Sequence, residues 1–144
     1  QQAVRDWQRV LKPGGRVIFS TFGKTAFQPM AQWFREALEA CGADFPREAW
    51  QRFSEEAECQ ALLAQAGYDN IRISRKQLGY HLASENDWWE IINNSAMRGL
   101  LNLLDDTQQD SLRAEHLQRV AGLKSNDGIW LDVEVIFSEG SKPL

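Results

Sequence analysis

The sequence is poor in residues that bind metals or form disulfides, and it lacks long apolar runs. Its 144 residues include two cysteines, Cys41 and Cys59, and two histidines, His81 and His116. The cysteines form neither a CxxC pair nor a zinc-ligand spacing, so we expect free thiols and no metal site. No apolar run reaches eighteen residues, and none has the form of a secretory signal. These absences favour a soluble protein of the reducing cytoplasm that has no membrane partner.

An excess of positive charge is also missing. Sixteen basic residues against twenty acidic ones give a formal net charge of −4, and the basic residues are scattered along the chain. Such a distribution offers no footprint for a phosphate backbone, so nucleic acid is not an expected partner. A hydrophobic content of 43% allows a chain of this length to bury one sizeable core. We therefore expect residues 1–144 to form a single domain.

The first half of the sequence alternates helix and strand signals. Residues 1–11 carry an apolar stripe typical of a helix, and the continuous apolar run at 17–19 suits a strand covered on both faces. Apolar residues at steps of three and four predict an amphipathic helix over 27–41. Another helix is predicted to begin at Ser54, a common capping residue, and to end at Gly67.

The second half predicts two strands with helices between them. Alternating apolar residues over 68–82 predict one long strand, and the same alternation over 129–137 predicts another. Between them, Ser84 and Asp87 resemble a capping box that opens a helical insertion of about residues 84–123. This order of elements predicts an α/β fold, and the last strand is expected to run antiparallel.

Three segments carry a family resemblance. These are RVLKPGGRVIFSTFG at residues 9–23, QALLAQAGYDNIRIS at 60–74 and WLDVEVIFSEGSKP at 130–143. In this order they resemble the units that form the fifth, sixth and antiparallel seventh strands of class I S-adenosylmethionine-dependent methyltransferases. The resemblance implies the C-terminal half of a Rossmann-like methyltransferase fold, with strands 5, 6 and 7 and flanking helices.

Two features of that family have no counterpart in the sequence. The glycine-rich loop after the first strand and the acidic residue that ends the second strand are absent, and both serve the cofactor. Gly14-Gly15 is interpreted as a turn and not as that loop. The resemblance therefore implies a fragment whose cofactor-binding residues lie upstream of Gln1. S-adenosylmethionine is expected as the cofactor of the complete protein, and the fragment alone is expected to be inactive.

The resemblance also indicates residues that face the methyl acceptor. The layout is similar to methyltransferases of quinone biosynthesis, and Ser95-Ala96-Met97-Arg98 is similar to a segment of malonyl-carrier-protein methyltransferases. Both types imply a small or carrier-bound organic acceptor, and the second implies that Arg98 pairs with a substrate carboxylate. The candidates for the acceptor pocket are Thr21, Phe22, Trp33, Trp50, Trp88, Trp89, Met97 and Arg98.

Several of these residues have a simpler interpretation. Trp88 and Trp89 are adjacent and cannot share one helix face, so one is expected to pack while the other lines or covers the pocket. Arg98 is more simply a solvated helix residue. His81 is a candidate base towards a phenol or an enol, but a surface histidine at a strand end is the simpler interpretation. No catalytic residue is assigned.

Two surfaces and one alternative function complete the predictions. The strand at residues 16–21 is expected to lack a neighbour in this chain, and its unpaired edge favours a homodimer. Asp132 and Glu134 interrupt the last strand, which we attribute to partial exposure of one face. The alternative to a methyltransferase is a non-catalytic binding or assembly module built on half of that fold.

Overall fold

The computed structural model describes residues 2–45 and 52–144. That part of the chain contains six helices and five strands. The helices are α1 (Gln2–Val10), α2 (Met30–Ala40), α3 (Glu56–Gln65), α4 (Glu85–Asn93), α5 (Met97–Leu101) and α6 (Asp106–Ala121). The strands are β1 (Arg16–Phe22), β2 (Asp69–Gln77), β3 (Tyr80–Leu82), β4 (Ile129–Leu131) and β5 (Glu134–Ser141). The predicted α/β class is confirmed.

The described residues divide into two compact units. The first contains α1, β1, α3, β2 and β5, and the second contains α2, β3, α4, α5, α6 and β4. The chain passes from the first unit to the second after Ala26 and is again part of the first unit at Arg52. It passes to the second unit once more after Leu78 and returns to the first at Val133. Each unit has its own sheet. A single domain over residues 1–144 stays a prediction.

The first unit is built on a three-stranded sheet in the order β1-β5-β2. β5 runs antiparallel to both neighbours, so β1 and β2 are parallel to each other. Ser138 marks the register, because it lies opposite Phe19 of β1 and Ile73 of β2. The antiparallel direction predicted for the last strand is confirmed.

One face of this sheet carries the core of the first unit. Buried residues of α1 and α3 and the buried Tyr68 pack there on half-buried sheet residues, which include Val17, Phe19, Ile71 and Ile73. On the opposite face Ile18 is 64% exposed and Phe22 is 53% exposed. The prediction that residues 17–19 are covered on both faces is therefore wrong for the described chain. Successive side chains alternate across the pleat, so Ile18 points away from the core that holds its neighbours.

The second unit has a helical interior and a small sheet. Phe34 of α2, Trp88 of α4 and Val120 of α6 are fully buried, and α6 packs against both other helices. β3 and β4 pair antiparallel, with His81 opposite Trp130. The unit therefore combines a core of large apolar side chains with a two-stranded sheet.

Both long strands predicted in the second half of the sequence are divided in the structure. The strand predicted over 68–82 forms β2 and β3, and the one predicted over 129–137 forms β4 and β5, with each pair split between the two sheets. The breaks lie side by side, because the Leu78 amide donates to the Val133 carbonyl at 2.9 Å. Over 129–137 the apolar residues keep odd positions through the break, so the alternation does not reveal it. Over 68–82 the apolar residues change from odd positions, as at Ile73, to even ones, as at Leu78, so the alternation shifts phase where the strand divides.

The predicted first residue is correct for α4 and differs by one residue for α3. Ser84 is the N-cap of α4 as predicted, and its amide donates to the Asp87 carboxylate at 3.0 Å. For α3 the prediction of Ser54 was wrong by one residue, because Glu55 is the N-cap and its amide donates to Glu58 at 3.1 Å. Ser54 is instead buried. A carboxylate in the third helical position accepts the cap amide in both helices, and this determines where they begin.

Gly128→Ala is expected to destabilise the protein by about 2 kcal/mol or more. Gly128 has a φ of +109°, and an added Cβ would overlap the carbonyl oxygen of Leu82, which is backbone and cannot move aside easily. Gly99→Ala is the matched control, since Gly99 lies in α5 with nothing within 4 Å of an added Cβ. Urea unfolding followed by circular dichroism measures both, and equal midpoints for the two variants would contradict the prediction.

Candidate functional site

The directions of the three strands place the ends of β1 and β2 and the start of β5 at the same edge of the first sheet. β1 and β2 end there, while the antiparallel β5 begins there. We call this the carboxyl-end edge, and it comprises Phe22, Gly23, Gln77 and Glu134. In open α/β sheets ligands bind outside the carboxyl ends of the parallel strands. The carboxyl-end edge is therefore the first candidate for a functional site.

Arg75 of β2 holds a charged cluster beside this edge. Its guanidinium donates to Glu134 at 3.0 Å, and to Glu55 and Glu56 at 3.3 Å each. Lys24 approaches Glu55 at 3.8 Å. The hydrogen bond to Glu134, followed by charge attraction and the bonds to the other two carboxylates, raises the pKa of Arg75. One guanidinium thus connects β2, β5 and the start of α3.

Glu134 packs directly on Gly23. The Gly23 amide donates to the Glu134 carbonyl at 2.8 Å, and a Cβ added at position 23 would overlap the Glu134 carboxylate. The Glu134 side chain is 12% exposed. Asp132 and Glu134 are both half-buried, in line with the partial exposure expected from the sequence, and the Glu134 carboxylate is also paired with Arg75. Only glycine leaves room for it at position 23.

The sequence carried a signal for this pair that was missed. Arg75 shares the core-facing parity of Ile71 and Ile73 on β2, and Glu134 shares that of Ile136 on β5. Two opposite charges at core-facing positions indicate an ion pair, since an unpaired charge is costly to bury. Arg75 and Glu134 are 59 residues apart in the sequence, so the sequence does not indicate that they are in contact.

Thr21 and Phe22 end β1 but face opposite sides of the sheet. The Thr21 hydroxyl donates to the Phe53 carbonyl at 2.8 Å and lies 3.7 Å from the Cys59 sulfur, on the core side. Phe22 points to the exposed side. Of these two acceptor-pocket candidates, Phe22 is thus the one with an exposed side chain.

The remaining candidates belong to the second unit, except Trp50, which lies outside the described residues. Trp88, Trp89 and Met97 are buried. Both adjacent tryptophans are thus packed, and which of them lines or covers the acceptor pocket stays a prediction. Arg98 is exposed and donates to Asn93 at 2.7 Å.

Trp33 borders a shallow cleft between α2 and α6. The cleft has a volume of about 250 Å³ and is lined by Trp33, Glu36, Ala37, Glu115, His116 and Arg119. The Arg119 guanidinium lies 4.1 Å from the Trp33 ring centroid and donates to Glu36 at 3.2 Å. Two of the charged residues that line the cleft, Glu36 and Arg119, are therefore paired with each other.

His116 forms the floor of that cleft and is 3% exposed. The Trp88 indole N–H donates to His116 Nε2 at 2.8 Å, which places the proton of the neutral ring on Nδ1. Burial, together with the positive charge of Arg119, lowers the pKa of His116 to about 4. His81, in contrast, is exposed on β3 with its ring 5.1 Å from that of Trp130, in line with a surface histidine.

Residues 2–45 and 52–144 contain neither a cluster of metal-binding side chains nor a membrane-spanning helix. No three side chains of the metal-binding types converge in this range. No helix in it is long and apolar enough to cross a membrane.

The chain resembles known methyltransferases over part of their length. A segment of 73 residues is 36% identical to the malonyl-[acyl-carrier protein] O-methyltransferase of Brevibacillus brevis, and it covers 51% of this chain and 26% of that protein. No family model matches. The resemblance to class I S-adenosylmethionine-dependent methyltransferases predicted from the sequence is confirmed. The match spans about a quarter of the curated relative.

Solved structures extend the comparison to the fold. The YcgJ protein of Bacillus subtilis is 18% identical with a TM-score of 0.50, over 99% of this chain and 57% of that one. Phosphoethanolamine N-methyltransferase 2 of Haemonchus contortus, solved with S-adenosylhomocysteine, is 15% identical with a TM-score of 0.41, over 98% of this chain and 29% of that one. The likeness to YcgJ shows a shared fold over little more than half of its chain.

The buried His116 makes the stability of the protein depend on pH. Its pKa is about 4 when folded and about 6.5 when unfolded, so its contribution is complete above pH 6.5 and declines as the pH falls towards 4. Between pH 7 and pH 4.5 we expect a loss of about 2 kcal/mol that His116→Gln abolishes. The measurement is the free energy of unfolding in urea at both pH values. His81→Gln is the matched control and keeps the wild-type loss, whereas equal losses in wild type and His116→Gln would contradict the prediction.

Proposed function

We propose that these residues form the C-terminal, acceptor-side part of an S-adenosylmethionine-dependent methyltransferase that acts on a small or carrier-bound organic acceptor. The observation that carries this proposal is the 36% identity to a malonyl-[acyl-carrier protein] O-methyltransferase. The antiparallel β5 supports the assignment of β1, β2 and β5 as strands 5, 6 and 7. We place the protein in the cytoplasm.

The glycine turn of this chain does not fit the cofactor. The Gly14 amide donates to the Lys142 carbonyl at 3.0 Å, and the Lys142 amide donates to the Gly15 carbonyl at 2.7 Å. The turn is thus bound to the residue that follows β5, and its backbone is not open towards a ligand. S-adenosylmethionine is accordingly proposed to bind residues of the complete protein that lie upstream of Gln1.

The proposed contribution of this chain is to hold the acceptor. Methyl transfer from a sulfonium is an in-line displacement, and alignment in a dry pocket supplies much of its acceleration. A carboxylate acceptor is already nucleophilic and needs no base, which agrees with the burial of His116 as a neutral ring. Arg98 is exposed, and its remaining N–H groups suit a carboxylate.

The other pocket candidates divide by exposure. Phe22 is exposed at the carboxyl-end edge, so it is proposed to contact the acceptor directly. Trp88, Trp89 and Met97 are buried and are proposed to support the acceptor wall from within. Thr21, Trp33 and Trp50 remain candidates for the acceptor pocket because of the family resemblance described for the sequence.

The complete protein is expected to transfer a methyl group from S-adenosylmethionine to malonyl-acyl-carrier protein or a related small acid, and the 144-residue chain alone is expected not to. Methyl-labelled S-adenosylmethionine measures the transfer. The cofactor should raise the melting temperature of the complete protein and leave that of the 144-residue chain unchanged. The reason is that a ligand stabilises a protein only when it binds the folded state.

Two results would contradict this proposal. Strong stabilisation of the 144-residue chain by S-adenosylmethionine would show that the cofactor site is present in it. A complete protein that binds an acceptor or a carrier without transferring methyl groups would support the alternative of a binding or assembly module.

We further propose a homodimer of the 144-residue chain through residues 16–21. Among the described strands β1 pairs with β5 alone, and its neighbouring face exposes Ile18 and Phe22. An unpaired edge with apolar neighbours favours pairing with a second copy. Light scattering after size exclusion should give twice the monomer mass, and Ile18→Lys should shift it to the monomer while Arg72→Lys on β2 should not. A wild-type monomer at high concentration would contradict the dimer.

A further inference from the structure

We propose that Glu134 is a positioning residue, which fixes the end of β1 against the methyl acceptor and thereby determines acceptor affinity. This inference rests on the proposed methyltransferase function. It concerns the carboxyl-end edge, where strand direction places the ends of β1 and β2 and the first residue of β5.

Glu134 holds the end of β1 by two kinds of contact. Its backbone carbonyl accepts from the Gly23 amide at 2.8 Å, and its carboxylate covers the space where a side chain at position 23 would lie. The residue before Gly23 is Phe22, whose exposed ring is a candidate acceptor contact. Glu134 thus contacts Gly23 with both its backbone and its side chain, and Gly23 is joined to Phe22 by a single peptide unit.

Arg75 fixes the Glu134 carboxylate in turn. The bond from its guanidinium to Glu134 is 3.0 Å long, and the same guanidinium binds Glu55 and Glu56 at the start of α3. The Glu134 side chain is 12% exposed, so little water competes for its oxygens. The carboxylate is consequently held from β2 and α3 at once, and it cannot change its position without breaking the pair with Arg75.

Stability alone does not explain the pair, because the Arg75 side chain is 36% exposed and the Glu134 side chain 12% exposed. An ion pair that reaches solvent in this way contributes little to the free energy of folding. The same strand also offers a comparison, because Glu139 pairs with Arg16 near the other end of β5. If the two glutamates served the sheet alone, their loss would have the same functional effect.

The test compares Glu134→Gln with Glu139→Gln in the complete protein. Glu134→Gln is expected to raise the KM for the acceptor about fivefold or more and to leave the KM for S-adenosylmethionine unchanged, because only acceptor alignment is affected. Glu139→Gln is expected to change neither constant. Melting temperatures of both variants separate a loss of folded protein from a loss of affinity.

A double variant separates positioning from stability if Glu134→Gln folds poorly. Arg75→Met combined with Glu134→Leu removes both charges, so it should recover the melting temperature and keep the raised acceptor KM. Recovery of both quantities, or equal acceptor KM values in the two glutamine variants, would overturn the inference. A wild-type complete protein that transfers no methyl group would instead overturn the proposed function, and this inference with it.

Discussion

Backbone pairing with β5 is the interaction on which the first unit depends. β1 and β2 each pair with β5, so the sheet is not complete until the last strand of the chain has joined it. The partners are far apart in sequence, as the pairing of Arg16 with Ser141 illustrates. Such contacts form late, because closing a long loop costs entropy before the pairing compensates for it. Tyr68 packs closely on β5, because a Cβ added at Gly140 would lie only 3.0 Å from the Cβ of Tyr68.

The two units are stabilised by different chemistry. At the carboxyl-end edge of the first unit, three glutamates pair directly with one guanidinium, that of Arg75. In the second unit the polar groups at the centre are an indole and an imidazole, which satisfy each other while both stay neutral. Partly exposed ion pairs weaken as salt is added, whereas a neutral buried hydrogen bond responds to acid.

The sequence predicted those features that neighbouring residues determine. The start of α4 at Ser84 follows from a carboxylate three residues later, and the class of the fold follows from the order of periodic segments. The division of the strand over 129–137 could not be predicted, because its apolar residues keep odd positions on both sides of the break. The strand over 68–82 did carry a signal, because its apolar positions change from odd to even between Ile73 and Leu78. The pair of Trp88 with His116 joins different elements, so no local pattern indicated it, whereas for Arg75 and Glu134 the strand parity indicated charges on the core-facing side but not their pairing.

The hydrogen bond between Leu78 and Val133 has a consequence for how this chain can vary. β2 and β5 are adjacent antiparallel strands, and the bond joins the residues that follow one and precede the other. Topologically they form a β-hairpin whose loop has been replaced by residues 79–132. The register of the two strands is determined by which of their side chains face the core, so this long stretch can lengthen or shorten without changing the register. The second unit contains all of these residues, and evolution can therefore remodel them while the sheet keeps its register.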